Sequence, residues 1–299
     1  MNFHLLKLKI VELLERHKKI TSVADALDLR QPTVSFHMKS LEQELGVQLF
    51  ESRGGKTFLT EAGLALHHYA VKINALAYEA ERVVKEFQVP GRGSLKLGAS
   101  YVPGTYLLPG LLCSFAKLYP HITVSLTVKT APVIKEMLVN HEIDLAVFSA
   151  EPFQLAPLAA DTLCEDEMVV VFAAGHKLGQ EDKLTPEMLA KLPFVMHSPD
   201  SSTGELTAKW MHANQVSLQA AMQLDSLETI KQMVIQSDAV SFLSKLAVHR
   251  ELERGELICR PIPESDFKRY ILYAINENRL PSVLLDAFLR HLLEGRKEG

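Results

Sequence analysis

Ile20–Leu49, reading ITSVADALDLRQPTVSFHMKSLEQELGVQL, is the stretch on which the fold turns. Its pattern predicts two short helices joined by a tight turn. Thr21 and Ser22 are hydroxyls suited to capping the first helix, with Val23, Ala24, Ala26 and Leu27 as its small apolar contacts. Pro32 falls in the first turn of the second helix, where a missing N–H costs nothing. Along that helix Val34, Met38, Leu41 and Leu45 recur at helical spacing and predict a buried stripe. The opposite face carries Thr33, Phe36, His37 and Ser40, flanked by Gln31, Ser35 and Lys39, with no acid before Glu42. A polar, aromatic and basic face of this kind suits a phosphate-lined groove.

The flanking segments extend the pattern. Upstream, Phe3, Leu6, Ile10, Leu13 and Leu14 share a helical face, so a helix precedes the opening pair. Three helices in about 45 residues are the minimum for a helix-turn-helix domain. Downstream, FESRGGKTFLT (50–60) predicts a β-hairpin, or wing, whose basic tip Arg53-Gly54-Gly55-Lys56 can meet phosphates. Residues 61–88 hold no proline, and no glycine after Gly63. There Leu66, Ala70, Ile73, Ala77, Ala80, Val84 and Phe87 alternate by four and three, the seam of a helix that pairs with a second copy. PGRGS (90–94) then breaks the helix and predicts a linker.

The matches in register resemble the LysR-type transcriptional regulators: Val23-Ala24, Leu27, Gln31-Pro32, Val34-Ser35, Leu41-Glu42, Leu45-Gly46-Val47, Leu49-Phe50 and Leu59-Thr60-Glu61-Ala62-Gly63. Departures fall at Arg30, where Ser or Thr is usual, and at Phe36-His37, where Arg-Gln types are common; they bear on the target sequence and not on the fold. The resemblance implies an N-terminal winged helix-turn-helix domain (1–60), a linker and dimerisation helix (61–89) and an effector-binding α/β domain (90–299). It places Gln31, Thr33, Ser35, Phe36, His37 and Ser40 at base edges and Arg30, Lys39, Arg53 and Lys56 at phosphates. It also implies double-stranded operator DNA, a second copy, a tetramer and RNA polymerase as partners; the cysteine usage and the N-terminus without signal-peptide character predict a cytoplasmic location.

Beyond the linker the pattern changes to alternating strands and helices. LKLGAS (95–100), ITVSLTV (122–128), DLAVFS (144–149), EMVVVFA (167–173), PFVMHS (193–198) and YILYAIN (270–276) are strand-like, with helical Leu107–Leu118 and Val133–Asn140 between the earlier ones. This half resembles the family's effector domain and, through it, type-2 periplasmic binding proteins. Two lobes are expected, at about 93–163 with 266–299 and at about 164–265, enclosing a cleft. Ligands of open α/β sheets bind beyond the carboxyl ends of strands, near helix N-termini. The turns after strands name Ser100, Val102 and Thr105, then Lys129 and Thr130, then Ser149, with His197, Ser202 and Thr203 across the cleft. By the resemblance Ser100, Thr130, Ser149, His197, Ser202 and Thr203 contact the effector. Phe242 either walls the cleft or fills the core; Ser226, after Asp225, predicts a helix cap. With Lys129 and His197 as the evident cations, a small mono-anion, or a ligand with one carboxylate and an apolar body, is expected rather than a polyanion.

The bulk properties set limits. Over 299 residues the chain is 47% apolar and 23% charged, with a net charge of −4, the balance of a globular protein. Residues 1–60 carry nine Lys/Arg against seven Asp/Glu, so DNA binding rests on the motif and not on bulk charge. Three scattered cysteines, Cys113, Cys164 and Cys259, exclude a disulfide framework and predict buried thiols in a reducing compartment. No apolar run is long enough to span a membrane, and the N-terminus lacks signal-peptide character. Ser114-Phe115-Ala116-Lys117 matches S-x-x-K without its companion motifs, and Gly91-Arg92-Gly93 lacks the third glycine of a dinucleotide fingerprint. Adjacent His67 and His68 lack metal-ligand spacing. No enzyme, metal or cofactor is expected; the competing reading is a solute-binding module without a DNA role.

Overall fold

The computed structural model describes residues 4–86, 93–153, 156–266, 268–280 and 282–295. The chain forms two compact units, Met1–Pro90 with Asn140–Glu142, and Gly91–Val139 with Ile143–Gly299.

The first unit opens with α1 (Leu5–His17), α2 (Ile20–Ala26) and α3 (Gln31–Leu45). Leu8, Ile10, Val11 and Leu14 of α1 meet Val23 and Ala24 of α2 and Val34, Met38 and Leu41 of α3 in one core. The fourth residue of the expected stripe, Leu45, is 40% exposed. It is the last residue of α3, and Gly46, at φ 67°, turns the chain away there. Thr21 and Ser22 do not cap α2: the helix begins a residue earlier, after an uncapped Lys19, and both hydroxyls fall inside its first turn.

Strands β1 (Phe50–Arg53) and β2 (Lys56–Leu59) pair antiparallel with Arg53 opposite Lys56. The two turn residues, Gly54 and Gly55, take φ of 57° and 73°, the sign a primed hairpin turn demands. One carboxylate ties helix to hairpin: Glu42 Oε1 accepts the backbone N–H of Leu49 (2.8 Å) and of Phe50 (3.1 Å). Helix α4 (Glu61–Glu86) follows, its start pressed so close to the loop that a Cβ on Gly63 would lie 2.2 Å from Leu49 O.

The expected seam on α4 divides. Ala70 is fully buried in the unit's own core and Leu66 packs against it, because α4 lies along α1. Ala70 is therefore closed to a partner helix, and Leu66 is half-buried. The large apolar side chains exposed on α4 are Leu64, Tyr69, Ile73, Leu76, Tyr78 and Val84, while Ala77 is half-buried and Ala80 exposed. Phe87 and most of the 90–94 linker lie outside the described residues.

In the second unit the elements are β3 (Gly93–Ala99), α5 (Leu108–Leu118), β4 (Ile122–Val128), α6 (Ala131–Val139), β5 (Leu145–Ala150) and β6 (Leu158–Glu165), then β7 (Met168–Ala173), α7 (Pro186–Ala190), β8 (Pro193–His197), α8 (Ser202–Ala213), β9 (Gln219–Leu224), α9 (Leu227–Ile235), β10 (Ser241–Ser244), α10 (His249–Glu253) and β11 (Leu257–Pro261), and finally β12 (Tyr270–Asn276) and α11 (Val283–Gly295). One sheet runs β4-β3-β5-β12-β6, with β3 parallel to β4 and β5, and β12 antiparallel to β5 and β6. A second lobe holds β10-β7-β11, all antiparallel, and the parallel pair β8-β9. The chain crosses between lobes at Asp166–Glu167 and returns before Tyr270. Strands β6, β9 and β11 escape the sequence pattern, since none is a continuous apolar run.

None of the three cysteines is in a disulfide; Cys113 is exposed, contrary to the expectation of a buried thiol, because it sits on the outer face of α5. Ser114 donates to Leu111 O (3.0 Å) and meets His291 (2.7 Å), so the S-x-x-K tetrapeptide is ordinary helix surface. Among the described residues no helix is long and apolar enough to cross a membrane.

Removing the Glu42 carboxylate orphans two backbone donors. Glu42→Ala is expected to destabilise the first unit by about 1–3 kcal/mol, read as an earlier thermal transition. An unchanged transition would remove Glu42 from this role.

Candidate functional site

The first unit presents one polar surface. On α3, Phe36 is 67% exposed, unusual for a side chain of its size, and its ring meets His37 edge-on at 5.7 Å. Arg30, Gln31 and Lys39 are exposed beside it, with Thr33, Ser35 and His37 half-exposed. His37 Nδ1 has no hydrogen-bond partner. Ser40 lies apart from this group: its hydroxyl accepts from Lys7 Nζ (3.0 Å) and it donates to Glu44, so it belongs to the α1–α3 contact and not to the polar surface. At the hairpin tip Arg53 and Lys56 are both exposed, Arg53 paired with Glu51 at 2.9 Å.

The second unit contains a cleft between its lobes. A cavity of about 190 Å³ is bounded by Ser100, Val102 and Thr130 from one side and His197, Ser202 and Thr203 from the other, with Ser149 at its floor. The N-termini of α6 and α8 border it, through Ala131 and Ser202. Ser201 caps α8 by accepting the Gly204 N–H (3.0 Å), and a Cβ on Gly204 would stand 2.2 Å from Ser198 O. That tight turn brings three consecutive hydroxyls to the cavity.

Beneath the hydroxyls lies a buried ion pair. Arg269 Nη2 is 2.9 Å from Asp166 Oδ2, with both side chains almost wholly enclosed. Asp166 also accepts from Ser149 Oγ (2.7 Å) and from the hydroxyl of Ser244, while Arg269 Nη1 donates to Thr203 Oγ1 (2.8 Å). Ser100 Oγ accepts the Ser149 N–H (3.0 Å), so the wall and floor are one network.

His197 faces this cavity as a neutral ring. Burial pushes it down to about 4; the Phe242 carbonyl bonded to Nε2 (3.0 Å) opposes that shift and the Arg269 charge adds to it. With the Nε2 proton committed to Phe242, Nδ1 is an acceptor and His197 is not the expected cation.

Three other expected contacts change place. Lys129 is exposed and absent from the cavity wall. Thr105 is turned to a rim pocket with Tyr106 and Glu228. Phe242 is fully buried, edge-on to Phe194 and Trp210 at 5.0 Å each, so it fills the core and contributes only its carbonyl. Ser226 caps α9 by accepting the Thr229 N–H (3.3 Å).

Residues 5–64 match the family described as bacterial regulatory helix-turn-helix protein, lysR family, and residues 89–297 match the LysR substrate binding domain. The chain belongs to the LysR family. It is 33% identical to a probable RuBisCO transcriptional regulator of Synechocystis sp., over 97% of this chain and 86% of that protein. The regulatory domain of CcmR from Synechocystis PCC6803, solved in complex with 2-PG, superposes at a TM-score of 0.63 with 28% identity, covering 68% of this chain and 97% of that domain. Full-length CbnR, solved with its target DNA, superposes at 0.69 with 20% identity and covers 99% of both chains.

As a LysR-family member the chain is a DNA-binding transcriptional regulator that responds to a small molecule, and not an enzyme. Among the described residues no cluster of His, Cys, Asp and Glu is placed to hold a metal. Sequence reasoning missed Arg269 and Asp166. Each stands alone in an irregular segment, and only the crossing of both interlobe connections brings them together.

The neutral His197 makes a signed prediction about acid. The unfolded chain takes up its proton near pH 6.5, whereas the folded ring resists it until about 4. Stability from this group is therefore complete above pH 6.5 and lost as pH falls towards 4, by about 3 kcal/mol at most. His197→Gln is expected to flatten that part of the thermal stability profile between pH 7 and 5. Parallel profiles for variant and parent would show that His197 is not held neutral.

Proposed function

We propose that this LysR-family regulator reads its operator with Phe36 and His37 and is controlled by a small acid seated between the lobes of its second unit. The observation that carries the proposal is the cavity lined from both lobes by Ser100, Thr130, Ser149, His197, Ser202 and Thr203. A ligand touching both sides favours one lobe arrangement over another, and that difference is what a regulator can transmit. The 2-PG held by the related CcmR domain makes that compound the first acid to titrate.

On the DNA side, the exposed Phe36 ring suits contact with a thymine methyl, and the half-exposed His37 beside it suits a base edge. Gln31, Thr33 and Ser35 complete the reading face, while Arg30, Lys39, Arg53 and Lys56 hold phosphates. In this reading 1–60 bind DNA, 61–89 pair two chains, and 90–299 sense the effector. Leu64, Tyr69, Ile73, Leu76, Tyr78 and Val84 give the pairing helix its exposed apolar side chains. A tetramer, contact with RNA polymerase and a cytoplasmic location belong to the same proposal, on the strength of the family.

Two measurements test it. Phe36→Ala or His37→Ala should alter discrimination at one base pair by about 1–3 kcal/mol, measured by electrophoretic shift on variants of the DNA upstream of its own gene. Equal discrimination by parent and variants would reject the reading roles. Ile73→Asp with Leu76→Asp should shift sedimentation to a smaller species, whereas an unchanged profile would place the pairing surface elsewhere.

A further inference from the structure

The cleft holds a second cavity, of about 260 Å³, on the side of Pro132, Lys135, Phe153 and Lys209. It shares Ala131, Ser149 and Ser202 with the first, so the two are continuous past the Ser202 hydroxyl. Their chemistry differs. The first cavity has hydroxyls, the His197 acceptor and two aspartates, Asp200 and Asp225, on its wall and no lysine or arginine. The second is lined by Lys135, Lys209 and Arg269 together with Glu151 and Glu205.

Lys135 is half-buried on α6, its Nζ 4.1 Å from the Phe153 ring centre and 5.1 Å from that of Phe148. Among the described residues no carboxylate lies within ion-pairing distance of it, and burial holds its pKa below the ordinary lysine value, against the pull of Glu205. Arg269 is 3% exposed and lines the same cavity, and its Nε has no hydrogen-bond partner. At the mouth, Lys209 is already spent on Glu151 at 2.9 Å. The Arg269 charge is met by Asp166 but its Nε donor is not, and the Lys135 ammonium has two aromatic faces but no carboxylate at bonding distance, so an anion in this cavity would satisfy both. The Ser202 hydroxyl, without a hydrogen bond among the described residues, stands between this pair and the hydroxyl-rich cavity.

We infer that Lys135 and Arg269 are the anion-binding residues of the cleft, taking the carboxylate or phosphate of the effector, while its hydroxyl-bearing end lies against Asp200, Asp225 and His197 in the first cavity. The inference rests on the effector reading above and adds a direction to it. The ligand class becomes an acid carrying hydroxyl donors at the end remote from its charge, since two carboxylates and an imidazole Nδ1 accept hydrogen bonds and repel a second anion.

Calorimetric titration of the full chain with inorganic phosphate, glycerol 3-phosphate and gluconate tests this. Phosphate reports the charged end alone; the other two report both ends and distinguish phosphate from carboxylate. Lys135→Met is expected to weaken phosphate and at least one hydroxylated acid tenfold or more. Asp225→Ala, which removes an acceptor of the first cavity, is expected to weaken only the hydroxylated acid, without weakening phosphate. Arg269→Lys, which keeps a cation beside Asp166 but loses Nε, should also weaken phosphate. Binding of any probe that is unaffected by Lys135→Met, or no binding of any probe to the parent protein, overturns the inference. Losses on Lys135→Met with none on Asp225→Ala would keep the anion site and overturn the hydroxyl cavity as its companion.

Discussion

The ion pair between Asp166 and Arg269 is the constraint on which the second unit depends. Each residue lies where the chain passes between lobes, Asp166 directly after β6 and Arg269 directly before β12. The Asp166 N–H also donates to the Arg269 carbonyl at 2.9 Å, so backbone and side chains both join the two crossings. Burying two charges is expensive, and leaving either one alone costs about 3–5 kcal/mol. The pair is retained with Ser149, Ser244 and Thr203 saturating much of its periphery. Because Ser149 and Thr203 also line the cleft, whatever binds there rests on the same network that holds the hinge.

The cleft is closed at both ends by exposed polar bridges. Tyr106 donates to Glu228 at 2.7 Å on one side, and Lys209 pairs with Glu151 at 2.9 Å on the other. Pairs this accessible contribute little individually and are screened by salt. They can break and re-form as the lobes move, whereas the buried pair cannot. A rigid hinge with weakly held rims is the physical form that a ligand-set equilibrium requires.

The winged helix-turn-helix was legible because its rules are local. Helical spacing placed Val34, Met38 and Leu41 inside, and two glycines set the hairpin turn. Leu45, Thr21 and Ser22 were misplaced by helix ends one residue from where the pattern put them, and the other misreadings come from neighbours distant in sequence. Ser40 is drawn away by Lys7 of another helix, and Leu66 and Ala70 are claimed by α1, which the heptad count of α4 alone does not contain. In the cleft, hydroxyls after strands were visible because strand ends converge in open α/β sheets. Their cations were not. Lys129 satisfied the same rule and points to solvent, while Lys135 comes from mid-helix and Arg269 from a connecting segment. Burial also inverts His197, turning an apparent cation into an acceptor. Charge at a site is set by tertiary surroundings, and residue type alone names it poorly.

The central claim is that ligand in this cleft and operator at α3 are thermodynamically linked. It is tested by fluorescence anisotropy of the full chain on the DNA upstream of its gene, titrated with and without a saturating acid that binds the parent protein. The account predicts a change in operator affinity or salt dependence of at least fivefold for the parent, about 1 kcal/mol of coupling, abolished by Ser202→Ala. Identical operator curves with and without bound ligand, or a shift that persists in Ser202→Ala, would contradict it.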